Sequence, residues 1–455
     1  MMVQLHIGID DTDSLRGGCT THVAAEVLKR LAVVKVRFLD YPNLVRLNPN
    51  IPWKTRGNGA VCLRLEVEQD AVECVKEEIL EYVINNSDTA TPGTDPAVVF
   101  MAGRVPQVAE EFAKEAMWDV VPFKKAFKVL RLTRAEAVAL KGPRGLIGAL
   151  AAVGEQLRGD HTYEAIAYRA KENWGHPRRV DASSTMRMDE ATAPYTWNNF
   201  DEETGRILVT PRGRDPILFG VRGETPEIVA RAVNMIIPNE PVECCVIFRT
   251  NQGTDSHLTR ATRVASLRAH RAAVVEGGVA SPPMTLVGGH VFFQLRDQTG
   301  GVSCAAYEPT GSFRNIVRQL VPVDHVRIYG GVRKASRRHS RTLNIEKLEL
   351  VEVKRVTRFM NPLCQSCGKR MTSMGRNQGY RCDNCGFKST STRRVEVEQP
   401  RSLTPGLYLP SPRAHRHLTK PLRRYGREKA GLNPASRFVA IEKIITLRST
   451  APLNA

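Results

Sequence analysis

The sequence predicts a multidomain α+β protein, and three observations carry that reading. Strand-like and helix-like segments alternate over roughly the first 170 residues, as in a mixed α/β or α+β body. Residues 284–353 change to short alternating β segments separated by Gly turns. A Cys-x-x-Cys pair then recurs after fourteen residues, the spacing of a zinc ribbon. A chain of 455 residues accommodates two to four domains at ~100–200 residues each.

The elements follow in order. Residues 3–9 are a strand. A polar turn at 10–19 leads into a helix over 21–31, where Val23, Val27, Leu28 and Leu31 fall at helical spacing. Residues 59–67 alternate as a strand, and 71–84, 105–116 and 146–157 have helical patterns. The stretch 175–199 holds Pro177 and Pro194 and few apolar runs, so it is expected to be a linker or long loop. Strands at 207–209, 217–221 and 241–249 with a helix at 227–236 make a small α+β module, compatible with a ferredoxin-like split βαβ. Strands at 290–295, 302–307, 325–332 and 342–353, with a helix at 312–320, fit a five-stranded OB-fold β-barrel. Its binding face is expected to carry Phe292, Phe293, Tyr307, Tyr329, Arg333, Lys334, Arg337, Arg338 and Arg341. The expected units are 1–172, 173–275, 276–356, the zinc ribbon 357–400 and a basic segment 401–455.

Composition narrows the function. With 25% charged and 42% hydrophobic residues, global disorder and fibrous classes are excluded. No run approaches the ~18 apolar residues that span a bilayer. The first residues lack the basic and apolar stretches of an export signal, so a cytoplasmic protein is expected. The net charge is +19, yet residues 314–455 hold 30 Lys/Arg against 9 Asp/Glu, leaving the first 313 residues at −2. A near-neutral body with a cationic back third points to a polyanion, nucleic acid first. Of ten Cys, six (Cys19, Cys62, Cys74, Cys244, Cys245, Cys304) are scattered and are expected as small core residues rather than disulfides.

Two motifs carry chemistry. Cys364, Cys367, Cys382 and Cys385, each pair followed by Gly368 or Gly386, provide four soft ligands for a structural zinc ion. Near the N-terminus, Asp10, Asp11 and Asp13 lie where the first strand ends, before Gly17-Gly18 and Thr20-Thr21. Clustered carboxylates suit Mg²⁺, and a following helix N-terminus suits phosphate. A polar Asx turn capping the helix accounts for the same residues equally well. A basic loop in the same domain, with Arg46, Asn48, Lys54, Arg56 and Asn58 among glycines, favours phosphate binding and shifts the balance toward a phosphoryl or nucleotidyl site. Turns at 210–223 and 248–258 offer Asp215, Asp255 and His257 as weaker candidates. Residues 142–148 give a weaker glycine signal. The basic segment 412–426 is expected to contact an RNA backbone through residues such as His415, His417 and Lys420.

Taken together, Ile7–Ser14, Cys19–Thr21, Arg46–Pro49, Lys54–Gly59, Pro211–Gly223, Phe248–Leu258 and His417–Leu422 resemble the archaeal agmatidine synthetase family, TiaS. The resemblance spans nearly the whole chain. It implies a kinase-like catalytic domain followed by ferredoxin-like, OB-fold and zinc-ribbon domains. It also implies joining of agmatine to C2 of the wobble cytidine of the minor isoleucine tRNA with anticodon CAU, so that the tRNA decodes AUA. ATP and Mg²⁺ would phosphorylate the C2 oxygen, ATP would be cleaved to AMP, and the phosphorylated threonine of the family matches Thr20. Asp10, Asp11 and Asp13 would be catalytic, with Asp10 and Asp11 holding magnesium. Gly18, Thr21, Arg46, Lys54, Arg56 and Asn58 would hold phosphates. Asp215 and Asp255 are the candidates for agmatine. Arg333, Lys334, Arg337, Arg338 and Lys420 are those for tRNA. No membrane or obligate protein partner is expected. The competing readings are a non-catalytic single-stranded nucleic-acid-binding protein and a small-molecule NTP-dependent enzyme.

Overall fold

The computed structural model describes residues 1–337, 340–429 and 438–447. Its main feature is an eleven-stranded sheet. From the N-terminus the principal strands are β1 (Met2–Asp10), β2 (Asn43–Arg46), β3 (Gly59–Glu68), β4 (Ala97–Ala102), β5 (Glu136–Ala139), β6 (Thr162–Arg169), β7 (Ile217–Gly223) and β8 (Val242–Thr250). Across the sheet they run β5-β4-β1-β3-β2-β8-β6-β7. β1 pairs antiparallel with β3, Ile7 opposite Leu63 and Ile9 opposite Val61. The two halves of the sheet join where β2 and β8 run parallel, Asn43 beside Arg249.

Strands covered on both faces need apolar residues at nearly every position. β3 shows this: Val61, Leu63, Leu65 and Val67 enter one core, and Ala60 and Cys62 enter the other. The first face is covered by α1 (Thr20–Leu31) and α2 (Val72–Asn86). The second is covered by α3 (Gln107–Ala116), α4 (Phe123–Thr133) and α5 (Arg144–Gly154). Buried Arg64 breaks the apolar pattern of β3. Its Nη2 donates to the carbonyls of Ala152, Val153 and Glu155 at 3.3, 3.2 and 2.7 Å, satisfying the open C-terminal end of α5.

The far half of the sheet is backed by α6 (Ala182–Thr192) and α7 (Pro226–Met235) around Leu218, Phe219, Val221, Val229 and Met188. Helix α6 lies within the stretch expected to be a linker. Asp181 caps it, accepting from the Ser184 N–H at 2.6 Å; the cap signal is in the sequence, but too few apolar residues follow to reveal the period.

β9 (Ala272–Val279), β10 (Val291–Asp297), β11 (Gly300–Ala306), β12 (His325–Arg333) and β13 (Thr342–Glu352) close a five-stranded barrel, with β9 paired to both β10 and β12. β9, which the periodicity missed, crosses the expected boundary at 275/276. Beyond the barrel, a ladder of Val356–Met360 with Val395–Gln399 carries a small three-stranded module holding the four cysteines. The segment after it returns to the barrel, where 406–408 pairs with β13, and to the main sheet, where 445–447 pairs with β8.

Candidate active site

The first strand delivers the acidic loop to a cavity of about 780 Å³. Asp10, Asp11, Asp13, Thr20, Thr21, Arg46, Lys54, Arg56, Asn58 and Asp215 all line it. Sequence-distant acidic and basic loops thus face one space. Asp10 stands at the end of β1 against α5, and Gly148 makes this approach feasible: a Cβ there would sit 1.8 Å from Asp10 Oδ2. The glycine signal at 142–148 is therefore part of the site. The backbone turns sharply at Asp11, which has φ 58°, a region tolerated best by Asx residues among those with a side chain. Asp11 accepts from the Asp95 N–H at 2.8 Å. Thr20 opens α1 and accepts from the Thr12 hydroxyl at 3.1 Å.

The electrostatics are divided. Burial and the neighbouring Asp11 carboxylate push Asp10 well above the carboxylate range. Burial also pushes Asp11 up to about 7, with Asp13 and Asp95 adding repulsion while the Asp95 N–H and Arg144 oppose it. This is a pair short of positive charge. Asp13, in contrast, receives Arg56 Nη2 at 2.6 Å, and Arg56 Nη1 reaches Asp215 at 3.1 Å. Arg178 Nη2 takes the other Asp215 oxygen at 2.9 Å. Arg46 is nearly buried, burial lowers its pKa, its Nε has no partner among the described residues, and Glu164 stands 3.7 Å away. A guanidinium with unused donors suits an anion. Lys54 donates to the Ile51 carbonyl at 2.9 Å and Asn58 to that of Asn48 at 2.7 Å, so both also hold the loop's shape. Gly18 packs beside Asp13, and its carbonyl accepts from Arg56.

Several expected site residues lie elsewhere. Asp255 does not line the cavity: its carboxylate is engaged by Lys347 Nζ and accepts the Lys420 N–H at 2.7 Å. His257 is buried against Glu346 at 2.9 Å. The Lys420 ammonium sits 2.9 Å from Glu428. Phe293 turns into the barrel core, whereas Phe292 on the opposite face meets Tyr307 edge to face. Arg333, Lys334 and Arg337 are exposed, and Arg333 reaches the Tyr307 hydroxyl at 3.2 Å. Arg341 instead donates to the Leu267 carbonyl at 2.7 Å, and Tyr329 to Glu349 at 2.9 Å. Arg338 lies outside the described residues. Of the scattered cysteines, Cys62, Cys244, Cys245 and Cys304 are core residues, but Cys74 is exposed and Cys19 lines the cavity.

Sequence reasoning missed Glu164, Arg222, Arg144 and the placement of His417, all lining the cavity. Glu164 sits in an otherwise apolar strand, a signal that was present. His417 had none, because its arrival is set by tertiary folding.

The cysteine sulfurs lie 3.5 Å apart in the pairs Cys364–Cys385 and Cys367–Cys382, and all four fall within 4.8 Å of one another. Four zinc bonds of ~2.3 Å give tetrahedral edges of about 3.8 Å, so the set fits zinc. A second cluster, His22, Glu26 and Glu243, is occupied by its own cation: Lys29 Nζ lies 2.5 and 2.7 Å from the two carboxylates.

Three family models match in chain order: the TiaS TCKD domain at residues 6–142, the TiaS FLD domain at 143–257 and the TiaS C-terminal zinc ribbon domain at 361–403. The isoleucine-tRNA 2-agmatinylcytidine synthetase TiaS of Methanosarcina mazei is 44% identical over 94% of this chain and 99% of that protein. The chain belongs to the TiaS family. A crystal structure of TiaS in complex with its isoleucine tRNA and ATP superposes with a TM-score of 0.82 at 37% identity, covering 95% of this chain and 99% of that one. A complex of TiaS with the same tRNA, AMPCPP and agmatine superposes at 0.80 with 35% identity, covering 92% and 97%. The likeness to TiaS therefore spans the cavity, the barrel and the cysteine module together.

Proposed function

We propose that this chain joins agmatine to C2 of the wobble cytidine in the CAU anticodon of the minor isoleucine tRNA, using ATP, so that the tRNA decodes AUA. The observation that carries the proposal is near-full-length likeness to TiaS in complexes with tRNA, nucleotide and agmatine. The cavity's paired acidic and basic loops supply the matching chemistry. In this reading the cytidine C2 oxygen is phosphorylated, ATP is cleaved to AMP and Thr20 becomes phosphorylated. Phosphorylation turns a poor oxide leaving group into a good one, and the amine then displaces it.

Asp10 and Asp11 fit Mg²⁺: burial and repulsion from neighbouring carboxylates push both up, and Arg144 offsets this only in part at Asp11. When bound, the ion would offset polyphosphate charge. Arg46 offers its unused donors to phosphate oxygens, Lys54 and the amides near Gly18, Thr20 and Thr21 add to them, and Arg56 positions Asp13. Asn58 shapes the loop. Asp215 is our choice for agmatine, with Glu164 as a second carboxylate on the same wall; a ligand guanidinium at Asp215 would compete with Arg56. Arg333, Lys334 and Arg337 on the barrel are our choices for tRNA.

We assign 1–172 (kinase-like), 173–275 (ferredoxin-like), 276–356 (OB-fold), 357–400 (zinc ribbon) and 401–455, while the matched TCKD and FLD family models meet earlier, at 142/143. Strands β6 and β9 couple neighbouring units. No described helix is long and apolar enough to cross a membrane, and a cytoplasmic location is part of the proposal.

Incubation with ATP, Mg²⁺, agmatine and a transcript of the CAU-bearing isoleucine tRNA, followed by nucleoside mass analysis, tests this. Expected are AMP and a cytidine heavier by agmatine minus water. Asp11→Ala should abolish ATP cleavage and leave tRNA affinity nearly unchanged. Loss of RNA binding with intact ATP cleavage in that variant, or tight tRNA binding without an adduct in the parent, would overturn the assignment.

A further inference from the structure

We propose that His417 is a catalytic residue, its Nε2 accepting the proton as the agmatine nitrogen bonds to cytidine C2. This rests on the function proposed above and names the base for its second step.

His417 lies in the segment after the zinc module, yet it is the histidine that lines the cavity. The chain holds it there by its backbone: the Gly253 N–H donates to the His417 carbonyl at 2.8 Å, and the Asp255 N–H to that of Leu418 at 2.8 Å. Two side chains face its Nδ1. Gln252 Nε2 donates to Glu164 Oε2 at 2.5 Å, so Gln252 presents its carbonyl oxygen to His417 Nδ1 at 3.0 Å. With the carbonyl oxygen the closer of the two groups at Nδ1, we place the hydrogen on Nδ1 and the lone pair on Nε2. Arg222 Nη2 lies 3.3 Å from Nδ1 and could donate only to the other tautomer, so it competes with the closer Gln252 oxygen.

Nε2 has no hydrogen-bond partner among the described residues, and it borders Gly57: a Cβ there would lie 2.8 Å from it. Any side chain at Gly57 would collide with that edge of the ring. The other candidate bases in the cavity are committed: burial pushes the Cys19 thiol up, Lys54 donates to the Ile51 carbonyl at 2.9 Å, and Asp119 is held by Arg271 at 2.6 Å. Asp13 and Asp215 are held by arginines. Both oxygens of Glu164 are engaged, by Arg222 Nε at 3.0 Å and by Gln252. Asp10 and Asp11 are our magnesium ligands. The His417 Nε2 lone pair is what remains.

The charged groups facing the imidazole are Arg46, Arg222 and, through Gln252, Glu164. Burial and the two arginines hold His417 well below the ordinary histidine range, so the lone pair is present at neutral pH. A weak base suffices at this step. The free amine forms the N–C2 bond with its own electron pair, which makes the nitrogen acidic. The C2–O pair leaves with the phosphate, the N–H proton passes to Nε2, and water later removes it.

The test uses full-length protein with ATP, Mg²⁺, agmatine and the tRNA transcript, comparing the parent with His417→Ala and His417→Gln. General-base loss is expected to slow agmatidine formation by ~10²–10⁴-fold. In single-turnover reactions with enzyme in excess of tRNA, the AMP burst should stay within about threefold, with the agmatine dependence little changed and exogenous imidazole restoring the Ala variant. The Gln variant, which keeps polar bulk at the site, should stay folded by melting and remain slow. Unimpaired agmatidine formation in both variants would overturn the proposal. So would a parallel loss of the single-turnover AMP burst, or no rescue by imidazole in folded protein. A parent that makes no agmatidine would instead refute the function itself.

Discussion

Replacing Arg424 should release the C-terminal segment from the catalytic body. Its side chain is fully buried. Nε donates to Glu224 at 2.6 Å, Nη2 and Nη1 to Asp160 at 2.8 and 3.0 Å, and Nη1 to the Gly253 carbonyl at 2.6 Å, with Trp197 5.4 Å beneath. Arg424→Ala leaves two carboxylates facing each other without this cation, although Lys429 still reaches Glu224 at 3.4 Å. Breaking such a buried network costs about 3–5 kcal/mol, which raises the detached-to-docked ratio by roughly 10²–10⁴. Where opening is fast relative to cleavage, proteolysis tracks that ratio. Limited proteolysis mapped by mass spectrometry should therefore show cleavage within 411–429 rising by orders of magnitude. Agmatidine formation should fall with it, because His417 departs the cavity. Arg424→Lys, which loses the fork geometry, should fall between. Parent-like cleavage and activity in Arg424→Ala would refute the view that this segment is a structural strut.

Other outcomes follow from the same physics. Burial holds His6 near 3 and His161 and His415 near 4; their unfolded forms bind protons first, so unfolding midpoints should rise as pH climbs from about 4 to 6.5, and His6→Gln should flatten that slope in denaturant titrations. Removing zinc with a chelator, or Cys382→Ser, should unfold the cysteine module, since structural zinc contributes ~10–16 kcal/mol in comparable small domains; metal analysis should return one zinc per chain in the parent, and tRNA affinity should drop while binding of ATP alone persists. Because the back third is strongly cationic, the logarithm of tRNA affinity should fall linearly with the logarithm of salt concentration, and a flat response in filter binding would remove that charge from the interface.

Local order was legible wherever one pattern dominated. β1, α1 and β3 announced themselves by periodicity because each buries apolar residues at regular spacing. The Cys-x-x-Cys pairs announced a metal site because four ligands at two tight knuckles suffice for it. Helix α6 was hidden because its burial rests mainly on short polar residues around Met188. β9 was hidden because it lay outside the stretch where the β period was sought. The acidic and basic loops line one cavity, yet Asp255 and Asp215, equally plausible as letters, separated: one is engaged by Lys347, the other faces the cavity.

By itself, then, the sequence determined the strands and helices with strong periods, the zinc ligands, the charge asymmetry and the carboxylate loop at the end of β1. These depend on neighbours within a few residues, or on composition alone. Only the tertiary structure decided that two halves of chain share one sheet through β2 and β8, and that Arg56 bridges Asp13 to Asp215. It also decided that the segment carrying His417 and Arg424 is interior rather than a free basic tail. Those outcomes turn on which buried charges find partners across hundreds of residues, and no local spacing encodes that pairing.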